Sequence, residues 1–115
     1  MNVWQGTFPD ENTADDGYLL TAPAKEYEPS RYGLYNMCGN VWEWVSDCGH
    51  TDYEDAPKDG SSWLEANRGD CGKRVLRGGS WYNGSSELRT ALRYWNLPVT
   101  RNGDLGFRLA QDLEQ

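Results

Sequence analysis

At 115 residues the chain has the size of one domain with one hydrophobic core and is too short for two. Its formal charge of −7 argues against nucleic acid as a partner, because phosphate binding needs clustered Lys and Arg that release counterions. No apolar run approaches the roughly 20 residues that span a bilayer, and the first residues lack the basic and apolar regions of a signal peptide, so any export signal lies outside this stretch. Only 37% of the residues are hydrophobic, and six tryptophans and seven tyrosines supply much of that fraction, so a compact aromatic core is expected. Thirteen glycines and five prolines, with many Asn, Asp and Ser, point to a backbone that turns often and to loops that dominate. The excess acidic groups either collect metal ions or form a solvated surface, and only their spacing can decide.

Residues 1–30 show Pro, Asp, Asn and Gly without sustained periodicity, as in TFPDENTADDGY, which predicts an irregular segment held by side-chain partners. Val41-Trp42-Glu43-Trp44-Val45 alternates and is rich in strand formers, predicting a short strand packed on both faces. Glu43 would then be nearly buried, and a buried carboxylate needs a cation or several donors. Residues 46–73 have turn composition and read as one long loop, of the kind that is either functional or tied down. Val75-Leu76 reads as a short strand running into a bend at Gly78-Gly79. Leu88, Ala91, Leu92 and Trp95 fit helical spacing, while Leu88, Thr90 and Leu92 alternate as in a strand, so periodicity alone leaves both open. Leu105 to Ala110 reads as a final strand.

Three cysteines cannot form a complete disulfide framework in a monomer. Cys48 and Cys71 flank the long loop and could close it, whereas Cys38 lies in an aromatic-rich segment where a small buried thiol is the usual reading. Trp63 is the large apolar side chain available to hold the loop, so without a bridge or an ion that segment is expected to be mobile. A zinc site is not supported, because no Cys-x-x-Cys occurs and His50 is the only histidine.

The segments NVWQGTFPDENTADDGY, TAP, YGLYNMCGNVWEWVSD, RVLRGGSW and GFRLA stand in one order across residues 2–111. In that order they resemble the C-terminal core of the formylglycine-generating, sulfatase-modifying-factor family. Five motifs in register are far more specific than any single short pattern. The family's first half has no counterpart, so the chain looks like a fragment, a minimal relative or one product of a split gene. The resemblance implies an α+β domain with little regular structure, of C-type-lectin-like fold, with a small twisted antiparallel sheet and long loops fixed by calcium. It settles the segment from Leu88 to Trp95 toward strand.

Two calcium sites carry over by that resemblance. The first would use the Asn2 side chain, the Val3 carbonyl, the Asp16 carboxylate and the Tyr18 carbonyl. The second would use the Asn36 side chain, the carbonyls of Gly39 and Val41, and Glu43. Calcium takes six to eight oxygens from such mixed donors. The alternative for Asn36 and Glu43 is that they satisfy backbone donors without any metal.

The family's oxidases bind copper through two cysteines placed after the Gly-Gly-Ser-aromatic motif, since Cu(I) prefers thiolates. Here Gly78-Gly79-Ser80-Trp81 is followed by Tyr82-Asn83-Gly84, so Asn83 stands at the first cysteine position. The following stretch is shorter and leaves no second one, so no copper is expected. His50 alone cannot build a non-haem iron site or a convincing catalytic triad. The reading that remains is a calcium-stabilised, non-catalytic module for an unknown protein or small-molecule ligand, similar to the lectin-like variable proteins diversified by retroelements in bacteria and phages. Matching positions of their exposed face hold Tyr82, Asn83, Gly84, Ser85, Thr90, Leu92, Tyr94, Leu97, Val99, Thr100, Asn102, Gly103 and Asp104. Tyr, Ser, Gly and Asn are also the residue types of antibody paratopes. The alternative is the scaffold part of a sulfatase-modifying oxidoreductase whose chemistry lies in residues outside this chain.

Overall fold

The alternating Val-Trp-Glu-Trp-Val segment opens a strand, and that strand organises the rest. In a computed structural model that describes residues 1–84 and 87–111, β1 spans Trp42–Gly49, β2 spans Asp70–Arg77, β3 spans Tyr94–Asn96 and β4 spans Leu105–Gly106. They form one sheet in the order β3-β2-β1-β4. β1 and β2 are antiparallel, with Glu43 opposite Arg77 and Trp44 opposite Leu76. β2 and β3 are also antiparallel, with Leu76 opposite Tyr94, whereas β4 runs parallel to β1, with Trp42 opposite Leu105.

Several expectations are corrected. The sheet is mixed, not purely antiparallel, because the chain crosses over after β3 before laying β4 beside β1. No α-helix occurs among the described residues, so the α part of α+β is absent there. Both long strands take residues that had read as loop: β1 continues through Ser46 to Gly49 and β2 starts at Asp70, leaving a connection of residues 50–69. Irregularities in the β1–β2 register accommodate this turn-rich composition. Leu88 to Trp95 becomes strand only from Tyr94, and the final strand stops at Gly106 instead of reaching Ala110.

The core is small and less aromatic than expected. Leu76 and Val75 are essentially fully buried, and they are joined by Trp42, Trp63, Cys48 and Ala22. Trp42 and Trp63 are the two tryptophans in this core, while Trp95 is 44% exposed. The bend after β2 is present, with Gly78 at φ +97° and Gly79 at φ +72°. A Cβ at Gly79 would stand 2.7 Å from Leu88 Cδ2, so the missing side chain lets the following segment fold back.

The 50–69 connection is anchored. Cys48 and Cys71 are joined by a disulfide with their Cα atoms 4.5 Å apart, and Cys38 is free and half-buried. Trp63, 3% exposed, stacks on the His50 ring at 3.5 Å between centroids. Its amide donates to Asp47 Oδ1 at 3.0 Å, and its carbonyl accepts from the Cys48 amide at 2.9 Å. Arg93 reaches across from before β3 to Asp47 Oδ2 at 2.7 Å. The expected mobility of the loop is thus countered by a bridge, a buried ring and an ion pair that converge on the end of β1.

Residues 1–30 contain no strand or helix, and side chains hold them. Asn40, in a left-handed conformation at φ 67°, accepts through Oδ1 from the Asn2 side-chain amide and the Ala22 amide, and donates through Nδ2 to the Ala22 carbonyl. This buried asparagine ties the first residues to the entry of β1. No helix among the described residues is long and apolar enough to cross a membrane.

Candidate functional site

The register of the sheet places Trp44, Leu76 and Tyr94 side by side, and Trp42, two residues before Trp44, lies on the same face. The Trp42 and Tyr94 rings accordingly meet at 5.6 Å between centroids. Against these two rings the turn after β2 and the residues before β4 close a groove of about 340 Å³. Six residues of the expected ligand face line it: Tyr82, Asn83, Leu92, Tyr94, Asn102 and Asp104. Trp42, Glu87, Asn96 and Leu105 complete the lining.

Two of the six are also bound into the scaffold. Ser80, fully buried, can donate its hydroxyl proton to Asn83 Oδ1 at 2.8 Å or to Asp104 Oδ2 at 3.1 Å, one at a time. The Ser80 amide also donates to Asn83 Oδ1 at 2.9 Å, and the Tyr82 amide donates to Ser80 Oγ at 3.1 Å. Asn83 therefore shapes the turn that follows β2. On the outer rim Tyr82 packs edge-on against Trp4, Phe8 and Trp81.

The remaining expected positions lie elsewhere. Leu97 and Val99 are 52% and 84% exposed and do not line the groove. Thr100 is half-buried and donates to Asn96 Oδ1 at 2.9 Å, a local turn contact. Thr90 lines a different depression, with Cys38, Glu43 and Arg77, and its carbonyl accepts from Arg77. Ser85 lies outside the described residues. Trp42, Glu87, Asn96 and Leu105 were not expected in the lining. Asn96 was detectable as the same-face neighbour of Tyr94 once a strand is assumed, whereas Trp42 enters only through the pairing of the strands.

At the first expected metal position, Asn2 is fully buried. Its Nδ2 donates to the Leu20 carbonyl at 2.7 Å and to Asn40 Oδ1 at 3.1 Å, while its Oδ1 is buried with no hydrogen-bond partner. Asp16 spans the neighbouring backbone, Oδ2 accepting from the Val3 amide and Oδ1 from the Tyr18 amide, both at 3.1 Å. The surroundings are electronegative. The Tyr27 phenol is pushed up by burial and by the Asp16 and Glu26 carboxylates, and the Tyr18 phenol is pushed up by its hydrogen bond to Glu26 and by burial. An orphaned amide oxygen on Asn2 and a carboxylate clamped to the adjacent Val3 amide are donor types that a hard cation takes.

The second position differs. Glu43 is half-buried and already has a cation: Arg108 Nε donates to its Oε1 at 2.9 Å, and Arg108 Nη2 contacts the same oxygen. Arg108 also donates to the carbonyls of Tyr35 at 2.7 Å and Asn36 at 3.0 Å. Asn36 Nδ2 donates to the Ala24 carbonyl at 2.8 Å. Of the carbonyl ligands expected here, Gly39 is buried and packs against the Asn2 backbone, where a Cβ would stand 2.7 Å from the Asn2 oxygen. Val41 is half-buried, next to Gly106 of β4. The compensation that Glu43 requires thus comes from the GFRLA arginine, which sequence spacing did not pair with it.

The family model described as "Sulfatase-modifying factor enzyme 1-like domain" matches residues 1–113. The chain belongs to this family. It is 45% identical over 117 residues to a formylglycine-generating enzyme of Streptomyces coelicolor, covering 98% of this chain and 36% of that protein. Among solved structures, PvdO from Pseudomonas aeruginosa superposes with a TM-score of 0.77 at 36% identity, covering 91% of this chain and 36% of the other. Treponema denticola variable protein 1 superposes with a TM-score of 0.61 at 32% identity, covering 92% and 34%. The chain thus spans about a third of the length of these relatives. Its likeness extends to an enzyme family and to a variable protein alike.

Proposed function

We propose that the chain is a non-catalytic binding module of C-type-lectin-like fold, stiffened by calcium, that receives its ligand in the groove floored by Trp42 and Tyr94. The observation that carries this reading is the convergence of Tyr82, Asn83, Leu92, Tyr94, Asn102 and Asp104 on one cavity. The similarity to a variable protein supports a fixed scaffold presenting exchangeable side chains. Asn83 stands where the family's oxidases have their first copper cysteine, and its carboxamide is a poor ligand for Cu(I).

Calcium would be held at the first position by Asn2 Oδ1, the Asp16 carboxylate and the carbonyls of Val3 and Tyr18. When bound it would supply charge neutralisation and tie residues 2–18 to the sheet through Asn40. At the second position the Arg108 guanidinium supplies the positive charge, so a metal there would have to share Glu43 with it.

Anaerobic Cu(I) titration against a competing chelator tests the non-catalytic reading. Binding no tighter than that of scattered protein side chains is expected. Submicromolar affinity, followed by oxygen consumption once air is admitted to the copper-loaded protein, would overturn it.

One observation favours the second reading, that the chain is scaffold for a larger oxidoreductase domain. The chain exposes 8363 Å², against about 6,400 Å² for a compact chain of this size. Part of the excess is a patch where Arg108 pins residues 107–109 beside residues 35–36. Phe107 and Leu109 there are 74% and 90% exposed, with Leu34 and Met37 close in sequence to the same contact. A further polypeptide segment covering that patch would fit this reading.

A further inference from the structure

The sequence holds two Asn-Gly pairs, Asn83-Gly84 and Asn102-Gly103, and both asparagines line the groove. An asparagine carboxamide is electrophilic at its carbon, and the amide nitrogen of the next residue needs only one new bond to that carbon to close a five-membered ring. Glycine in the next position leaves the approach open, because it carries no Cβ. The fold then decides which pair reacts.

Asn83 is locked. It is half-buried, and its Oδ1 accepts from the Ser80 amide at 2.9 Å and can accept from the Ser80 hydroxyl at 2.8 Å. An amide oxygen has two lone pairs, and these donors occupy both. Turning the carboxamide carbon toward the Gly84 nitrogen breaks those bonds and leaves the Ser80 amide without its acceptor.

Asn102 is open. It is exposed, and its side chain makes no hydrogen bond to any described residue. The Gly103 amide donates to no described residue either, so its nitrogen is unencumbered. A Cβ at Gly103 would meet nothing within 4 Å. The surrounding turn is held by its carbonyls: that of Gly103 accepts from Trp81 Nε1 and that of Asn102 from the Leu105 amide, both at 3.2 Å.

We propose that Asn102 is a self-modifying site, whose carboxamide hydrolyses to a carboxylate in the folded protein while Asn83 is spared. The Gly103 nitrogen bonds to the side-chain carbonyl carbon of Asn102, the bond from that carbon to Nδ2 breaks, and Nδ2 leaves as ammonia with the Gly103 amide proton. Solvent water then opens the cyclic imide. Cleavage of the new bond gives aspartate. Cleavage of the original peptide bond gives isoaspartate, in which the carbonyl that accepted from Leu105 becomes a free carboxylate and the main chain runs one methylene longer into β4. Either product adds a negative charge to the groove lining two residues from Asp104 and replaces an amide that both donates and accepts with a group that only accepts. The conversion holds whatever ligand the groove takes.

Incubation of the folded protein in mildly alkaline buffer, followed by digestion in acid and peptide mapping by mass spectrometry, tests this. Conversion at Asn102 is expected to be about tenfold or more faster than at Asn83, the ratio implied by the hydrogen bonds that Asn83 must give up. In the reduced chain held unfolded by denaturant, the two pairs should convert at similar rates, because the following glycine is then common to both. Gly103→Ala fills only open space and should slow Asn102 while leaving Asn83 unchanged. Asn83 converting as fast as Asn102 in the folded protein overturns the proposal. So does an Asn102 that stays intact in the folded protein while the unfolded chain converts, or one whose rate Gly103→Ala does not change.

Discussion

Removing the Cys48–Cys71 bridge is expected to cost about 3 kcal/mol, the chain-entropy cost of freeing a closed loop of this length in the unfolded state. The two cysteines are 23 positions apart, and the segment between them contains only one large buried side chain, Trp63. For a chain of this size the loss corresponds to a fall in melting temperature on the order of 10 °C. The double variant Cys48→Ala/Cys71→Ala is the suitable comparison, because Cys48 is fully buried and a hydroxyl there would lack a partner. Trp63 with its Asp47, His50 and Arg93 contacts should keep the connection seated in the folded variant, so the effect should appear mainly in the unfolding equilibrium. Peptide mapping without reductant should recover a Cys48–Cys71 link. A link that includes Cys38, or an unchanged melting temperature in the variant, would contradict the staple.

Calcium should stabilise the protein by about 2.7 kcal/mol when its free concentration is 100 times the dissociation constant, as any ligand selective for the folded state does. Asp16→Asn should abolish most of that gain, since it removes the only carboxylate of the Asn2 position. Glu43→Gln should act differently. Its cost should appear with or without calcium, because it leaves the Arg108 guanidinium without its charged partner. Thermal melts with and without chelator, for the wild type and both variants, separate the two. If chelator removes calcium by elemental analysis and the melting temperature does not move, the Asn2 position is not a calcium site.

Local chemistry was legible where a residue's own type forces a conformation. The Gly78-Gly79 bend follows from glycine's freedom at positive φ, and the irregular first 30 residues follow from the lack of any period. The proximity of Cys48 and Cys71 could be suspected from their bracketing of a turn-rich stretch, but no pattern in sequence measures a distance. Strand ends were misread because Ser46–Gly49 and Asp70–Lys73 have turn composition, and only their mutual pairing across the sheet makes them strand. The parallel placement of β4 was invisible, since a two-residue strand has no periodicity to read.

The residues of the candidate groove came from family resemblance more than from periodicity. The resemblance put Tyr82, Asn83, Leu92, Tyr94, Asn102 and Asp104 on a common face, and the structure gathers them around a groove. It also extended that face to Leu97, Val99, Thr100 and Thr90, which the turn after β3 and the bend after β2 carry away from the cavity. Trp42 belongs to the groove because β3 reaches β1's neighbour and so brings Tyr94 over its ring, a long-range event. Glu43 raised the right question about compensation. Its answer, Arg108, lies 65 positions away and could only come from the fold.

The proposed role is that of a family member that binds through its groove and does not oxidise. The most direct measurement is mass spectrometry of a cysteine-containing sulfatase peptide after aerobic incubation with copper-supplied, calcium-loaded protein. Unchanged peptide, with no formylglycine above a protein-free control, is the expected result. Formylglycine that accumulates in proportion to protein concentration would contradict the account.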